Sequence, residues 1–509
     1  MQNANMLSSR DGGSGASGGI SGFLSGGVKP VAVLFGIYFI LSIAIRVSLP
    51  NSLTLDEAEQ SLNSQFWLLG YGPQPPFYNW VQNLFVGALD ISLLSLALPR
   101  FGMLFLVYLF MGLAARELQV SRSFAGLAML SLTLLPQVSF MPQQDLTHTI
   151  ALLMATSLFF YGLCRTLVRP DWQGYAIIGI AIGIGTISKY NFVILPAATI
   201  VAVALDRDWR ARLLDPRMLL AAVICIAIVL PHAVWLLGNL DLATRGTLGK
   251  MVESDAPQGI FRVTKALGSL LVACLAFGAL AVVVLALAFK SSVKRAVRAG
   301  DRWTTLFGRI MLFSLVGVVA VVLVAGTTRI TERWLDPYLL VLPLYLLLKF
   351  DRAGADLGLG FKRLVPVFLV IMVVVLVPGP AKVLTAGLLG PPGRINMPFA
   401  DLAKQIRTED RPATILALGM HLSGNIRMQF PDVPVFDIDS ASVKRAMRDL
   451  APPVLVIEAD GDGAVVEPKL DAAMLESATG LSATDFRTRL VPYHRAPDRN
   501  MGFRYLWLR

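Results

Sequence analysis

The sequence predicts an α-helical polytopic membrane protein with a small α/β domain at its C-terminal end. Composition is the first observation behind this. Of 509 residues, 55% are hydrophobic and only 16% are charged, whereas a soluble chain carries about a quarter charged residues. The second is that apolar runs suited to crossing a bilayer recur from residue 30 to about residue 378. The third is a change of pattern beyond residue 379, where apolar runs become short and alternate with amphipathic stretches.

The elements follow in chain order. Residues 1–29 are Gly/Ser-rich (DGGSGASGGISGFLSGG) and are expected to be disordered. The run VAVLFGIYFILSIAIRVSL is too long for a signal-peptide core and lacks a clear small-residue cleavage site, so it reads as a retained first span. A transmembrane domain is expected over 30–378.

Orientation comes from the basic residues. Arg116 and Arg122 flank one break between apolar runs, and Arg165 and Arg169 a second. Arg207, Arg210, Arg212 and Arg217 mark a third. The fourth carries Lys290, Lys294, Arg295, Arg298, Arg302 and Arg309, and the fifth Lys349, Arg352, Lys362 and Arg363. These are cytoplasmic loops by the positive-inside rule. Residues 47–99 contain no Lys or Arg, so the acidic stretch SLTLDEAEQ (52–60) faces outward. Parity then allows one crossing between Asp56 and Arg116, although two apolar stretches lie there. The second (101–115) is assigned as the span and the first (78–98) as a juxtamembrane or re-entrant helix. Residues 174–205 read as two short spans turning at Ser188-Lys189-Tyr190. The total is about eleven spans, with the N-terminus inside and the C-terminus outside.

Residues 379–394 form a Pro/Gly-rich linker, and 395–509 a small outer domain. ATILALG and PPVLVIEA read as buried strands, and FADLAKQIR and SASVKRAMRDL as helices. No GxGxxG or GxxxxGK[ST] occurs in this domain, so nucleotide binding there has no support. The net charge of +11 is scattered in short clusters between apolar runs, which argues against a nucleic-acid partner. Cys164, Cys225 and Cys274 lie within apolar runs and make neither a disulfide framework nor a zinc site.

With this topology, the outer breaks gather the ionisable residues. The first holds Asp56, Glu57 and Glu59, then GYGPQPPFYNW with Gln74 and Tyr78. The second, MPQQDLTHT, holds Asp145 and His148 at i, i+3. That spacing suits a hydrogen-bonded couple or a weak metal pair, with helix capping by Asp145 as the plainer alternative. Lys189 stands in the turn ISKYNFVILP, suited either to snorkelling or to holding a phosphate as a point charge. PHAVWLLGNLDLATRGTLGK adds His232, Asn239 and Arg245, and RITERWLDPY adds Arg333. Carboxylates at a membrane boundary suit a general base for an acceptor hydroxyl. Cations there suit a phosphate leaving group. Together they fit transfer of a sugar from a lipid phosphate.

The acidic pair after the first span, QPPFYNW, QQDLTHT, GIGTISKYNFVILP and TERWLDPYLLVLP resemble, in order and spacing, the GT-C glycosyltransferases. The likeness is closest to the bacterial branch related to protein O-mannosyltransferases, which includes aminoarabinose lipid A transferases and rhizobial lipid A/core galacturonosyltransferases. PHAVWLLGNLDLATRGT is similar to the latter group, and the resemblance covers about residues 30–350. It implies a GT-C fold in a bacterial inner membrane. It also implies a polyprenyl-phosphate sugar donor and a lipid A or lipopolysaccharide core acceptor on the periplasmic side.

Carried over by position, the resemblance gives catalytic roles to Asp56, Glu57 and Asp145. It places Lys189 and Arg333 at the donor phosphate, with Arg245 as a further candidate. Glu59, Gln74, Tyr78, His148, His232 and Asn239 are substrate-binding candidates. Gln74-Pro75-Pro76 stands where aminoarabinose transferases usually have Lys-Pro-Pro, which removes a cation and puts the donor's identity or binding mode in question. No cofactor is required, and a divalent metal is left open with Asp145 and His148 as its candidates. The competing readings are a lipid or sugar transporter or flippase, a protein O-glycosyltransferase, and a non-catalytic scaffold.

Overall fold

The computed structural model describes residues 19–243, 260–325, 330–440, 443, 447–462 and 468–509. Seven helices among these are long and apolar enough to cross a membrane: Val28–Ser48, Leu93–Glu117, Thr147–Val168, Met218–Gly238, Phe261–Ala288, Arg302–Val324 and Leu357–Leu384. An eighth crossing is supplied if the bent pair Arg122–Leu134 and Pro136–Gln144, which turn through 87° at Leu135-Pro136, form one span. Proline at the start of the second helix forbids the donor that would continue the first.

Two shorter apolar helices, Trp172–Thr186 and Tyr190–Ala204, are broken at Lys189. The expected count of about eleven is therefore met only if shorter and broken segments are included. Fewer helices are long enough alone, because a span supported by neighbouring helices need not be continuous.

The stretch before the second long span forms the separate helix Phe77–Leu89. It ends at Asp90, whose φ of 53° takes the chain out of the helix. The following span begins at Leu93, earlier than the expected 101, with Ser92 accepting from Ser95 N as its N-cap. Ordered structure also begins before residue 30. Ile20–Leu24 is a short helix that buries Leu24, an apolar anchor that the Gly/Ser composition hides. The expected linker starts as helix too, since Pro378–Leu384 prolongs the last span.

Hydrogen bonds and ion pairs sort the breaks between helices into two sets. The basic breaks bond among themselves: Arg169 to Glu117 (2.8 Å), Arg302 to Asp206, and Arg352 to Asp301 (2.8 Å). The acidic breaks do likewise, joining residues 54–57 to 145–147, Lys189 to Thr149, and His232 to Leu69. The bundle thus has a basic end and a second end that holds the candidate chemistry.

The C-terminal domain sits on that second end. Its sheet has the order β2-β1-β3-β5-β4, from β1 (Thr414–Ala417), β2 (Val435–Asp437), β3 (Val454–Asp462), β4 (Arg487–Tyr493) and β5 (Ala496–Leu508). β1, β2 and β3 are parallel, and β5 and β4 are added antiparallel. The two expected strands are β1 and β3, and FADLAKQIR is the helix Phe399–Arg407. Of SASVKRAMRDL, residues 441, 442 and 444–446 lie outside the described residues, and Met447–Asp449 forms a single 3₁₀ turn.

Candidate active site

The site is built on the short helix Leu55–Asn63, which the chain enters on leaving the first span. Thr54-Leu55-Asp56-Glu57 is a capping box: Glu57 Oε2 accepts from Thr54 N (3.1 Å). The same Glu57 is gripped by Arg46 through Nε (2.9 Å) and Nη2 (2.7 Å), and by Arg100 through Nη2 (3.1 Å). All three side chains are at most 6% exposed. Burial works against the Glu57 charge, but the two guanidinium groups and the Thr54 N–H hold its pKa well below the ordinary carboxylate range. A carboxylate so occupied does not take protons from a substrate. Glu57, to which the family resemblance gives a catalytic role, is in this structure the buried counter-ion of Arg46 and Arg100 that seats this helix on the bundle.

Asp56 points the other way. Its Oδ2 accepts from Leu146 N (3.0 Å), Thr147 N (2.9 Å) and Thr147 Oγ1 (3.4 Å), at the N-terminus of the Thr147–Val168 span. Its own backbone N donates to Asp145 Oδ1 (3.2 Å), which also accepts from Thr54 Oγ1 (3.1 Å). Each aspartate therefore closes the open N–H groups of the helix that the other one heads. Among the described residues Asp56 Oδ1 receives no donor, which leaves one oxygen for chemistry. Burial first, then the charges of Asp56 and Glu57, push Asp145 up to about 7.

The second outer break and the aromatic stretch meet beneath this helix. Asn79 donates to Gln60 Oε1 (3.0 Å), and Gln60 Nε2 stands 3.4 Å from His148 Nε2. The Tyr78 ring lies 5.9 Å from that of His148, and its hydroxyl is buried with no hydrogen-bond partner among the described residues. His148 thus faces Gln60 and Tyr78, whereas Asp145 faces Thr54 and Asp56. The weak metal pair is divided between different partners, and no group of three His, Cys, Asp or Glu side chains gathers as a metal set among the described residues.

Lys189 supplies a cation to the same end. Its Nζ donates to Thr149 Oγ1 (2.7 Å), on the first turn of the span that Asp56 caps. Burial pulls the Lys189 ammonium down. Asp336 pulls it back up, Arg333 lowers it again, and Asp56 raises it. These residues therefore share one electrostatic field. Asp336 was given no role from the sequence, yet it is fully buried with neither carboxylate oxygen hydrogen-bonded among the described residues.

The other expected residues divide. His232 Nδ1–H donates to the Leu69 carbonyl (2.8 Å), which leaves Nε2 to accept from the Tyr190 hydroxyl (3.0 Å). Trp235 stacks on His232 and lies so close to Gly70 that a Cβ there would meet its ring at 2.3 Å. These contacts fasten the Leu69-Gly70 stretch to the Met218–Gly238 helix. Asn239 Nδ2 donates to the Trp235 carbonyl (2.9 Å) and the residue ends that helix. Gln74 and Glu59 are partly buried, Glu59 on the helix Leu55–Asn63. Arg245 lies outside the described residues.

Arg46 and Arg100 were missed as site residues, although the sequence marks them. They bracket the stretch 47–99 that lacks any other cation. The T-x-x-E spacing of Thr54 and Glu57 likewise signals a capping role.

Residues 73–235 match the family described as dolichyl-phosphate-mannose-protein mannosyltransferase. The chain is 45% identical over 491 residues to the lipopolysaccharide core galacturonosyltransferase RgtA of Rhizobium johnstonii, covering 95% of this chain and 98% of the relative. It is 38% identical to RgtB of the same organism, another lipopolysaccharide core galacturonosyltransferase, covering 94% and 97%. Among solved structures it resembles ArnT from Cupriavidus metallidurans bound to undecaprenyl phosphate. The TM-score is 0.57 at 14% identity, over 93% of this chain and 97% of that one, a likeness of fold.

Proposed function

Because the chain belongs to the family of membrane glycosyltransferases represented by those two rhizobial galacturonosyltransferases, we propose that it moves a uronosyl sugar from a polyprenyl-phosphate carrier to a lipopolysaccharide core sugar. The reaction takes place on the periplasmic face of a bacterial inner membrane. The observation that carries this reading is the mutual capping of Asp56 and Asp145. It fixes one Asp56 oxygen on backbone N–H groups and leaves the other for a substrate proton.

In this reading an acceptor hydroxyl approaches Asp56 Oδ1. As the hydroxyl oxygen bonds the anomeric carbon, its proton passes to Asp56. The bond from that carbon to the phosphate oxygen breaks, and its electron pair leaves with the polyprenyl phosphate. Lys189 and Arg333 hold the phosphate and stabilise the charge it gains. The undecaprenyl phosphate bound in the ArnT structure supports a donor of this class. The lipid tail confines the phosphate to the membrane boundary, where Lys189 lies between two short apolar helices. The shorter helices Trp172–Thr186 and Tyr190–Ala204, the bent pair, and the segment from Asp336 to Arg352 complete eleven crossings with the seven long helices.

Reconstitution of the purified protein with a labelled polyprenyl-phosphate galacturonate and lipopolysaccharide core tests the reaction. Labelled core is expected. Transfer from a nucleotide sugar without any polyprenyl phosphate would defeat the donor assignment.

A further inference from the structure

The helix that carries Asp56 has three sides in use. Asp56 faces the Thr147–Val168 helix, Glu57 faces Arg46 and Arg100, and the remaining side lies against the C-terminal domain, chiefly its helix Met420–Gln429. Leu62 is buried within the apolar core of that domain, among Ile415, Ile426 and Val435. The polar contacts are specific. Leu53 N donates to Asn425 Oδ1 (2.8 Å), His421 Nε2–H donates to the Leu53 carbonyl (2.9 Å), and Ser61 Oγ donates to the Gly424 carbonyl (2.8 Å). Just past the helix, the Gln65 amide donates to Val435 O and accepts from Val435 N, both at 2.9 Å. β2 is an edge strand of the sheet, and Gln65 supplies it with the pair of bonds that a further strand would make.

Gly424 sets the spacing. A Cβ on it would lie 2.0 Å from the Ala58 carbonyl oxygen and 2.6 Å from the Ala58 Cα. Both are backbone atoms, so no side-chain rotation relieves the clash and one helix must move. The two helices have therefore closed to a distance that only glycine permits.

We propose that the Met420–Gln429 helix is the positioning element of the catalytic carboxylate. Gly424 sets the height of the Leu55–Asn63 helix, and Asn425 sets its entry register, so that Asp56 meets Thr147. The C-terminal domain is on this account part of the transferase machinery. The inference rests on the reading of Asp56 as general base. It separates two functions: Lys189 and Arg333 reach the donor phosphate from other elements, so displacing the Asp56 helix should lower kcat and leave donor binding intact. A misplacement of about 1 Å far from the reacting atoms can cost roughly a hundredfold in rate.

The test uses the full-length protein in liposomes with labelled polyprenyl-phosphate galacturonate as donor. Gly424→Ala is expected to lower kcat by roughly 10–100-fold, with the donor KM within about twofold of the wild type. Asn425→Ala is expected to lower kcat likewise. Asn425→Asp keeps an acceptor for Leu53 N and should recover most of the loss, a distinction that general destabilisation would not make. Should Gly424→Ala fail to fold, the Asn425 pair decides alone. Wild-type kcat in Gly424→Ala and Asn425→Ala, with Asp56→Asn inactive, would overturn the positioning role. So would a donor KM that rises while kcat holds. Activity in Asp56→Asn would instead overturn the base assignment.

Discussion

Asp56 and Asp145 cap each other's helices: Asp56 Oδ2 accepts from Thr147 N at 2.9 Å, and Asp145 Oδ1 accepts from Asp56 N at 3.2 Å. The arrangement brings two carboxylates together, which Coulomb repulsion opposes, and offsets this with N–H groups from two helix ends. The work of the two carboxylates is unequal, since Asp56 keeps an oxygen outside the capping bonds.

That inequality makes the substitution of Asp56 informative. Asp56→Asn keeps an oxygen for the Leu146 and Thr147 N–H groups and loses the base. Turnover should fall by roughly 10²–10⁴-fold, with thermal stability and donor affinity close to wild type. Near-normal turnover of the purified variant would remove Asp56 from the mechanism.

Glu57 should behave in the opposite way. Glu57→Gln leaves Arg46 and Arg100 buried without their counter-ion, and breaking a buried pair by removing one partner costs roughly 3–5 kcal/mol. The expected result is a lower unfolding midpoint and poor recovery of folded protein. A stable but inactive Glu57→Gln would support the catalytic role that the family resemblance implies.

Sequence reasoning reached the membrane architecture because hydropathy and Lys/Arg placement report directly on the bilayer. It also selected Asp56, Asp145 and Lys189, which the fold brings to one end of the bundle. It did not separate Asp56 from Glu57. Adjacent helix positions point about 100° apart, so the difference between them is decided by Arg46 and Arg100, one from each neighbouring span. Asp336, in the same RITERWLDPY stretch as Arg333, could be given no role from the sequence, because its burial depends on the packing of the fold. The antiparallel strands β4 and β5 were missed as well: β4 is mostly exposed, and RTRLVPY carries little of the apolar signal of a buried strand.

The cations should affect binding more than chemistry. Lys189→Ala and Arg333→Ala each remove a proposed charge-assisted bond to the donor phosphate, worth roughly 1.5–3 kcal/mol. Donor affinity, measured by titrating labelled polyprenyl-phosphate sugar, should weaken about 10–100-fold per variant. Unchanged affinity in both would move the phosphate elsewhere.

Orientation can be read with an impermeant thiol reagent on intact cells with permeabilised outer membranes. Leu68, 46% exposed in the loop that follows the helix Leu55–Asn63, and Val297, 74% exposed at the basic end, are accessible positions on opposite ends of the bundle. Leu68→Cys should label and Val297→Cys should not, in a background with Cys164, Cys225 and Cys274 replaced. The reverse pattern would put the carboxylates in the cytoplasm.

Asp145 gives a prediction about pH. Burial and the charges of Asp56 and Glu57 raise its pKa from 3.8 to about 7, so the folded protein holds this proton more tightly than the unfolded chain. The associated stability is fully present below about pH 4 and is lost as the pH rises towards 7. Asp145→Asn lacks that titration and keeps an oxygen for Asp56 N and Thr54 Oγ1. Its unfolding midpoint in detergent should therefore exceed the wild-type value by more at pH 8 than at pH 5. The comparison between variant and wild type at each pH removes the contributions of the groups that titrate in both to first order. An advantage that grew towards acid instead would mean that Asp145 is held ionised in the fold, with Thr54 and the Asp56 N–H outweighing the two neighbouring carboxylates.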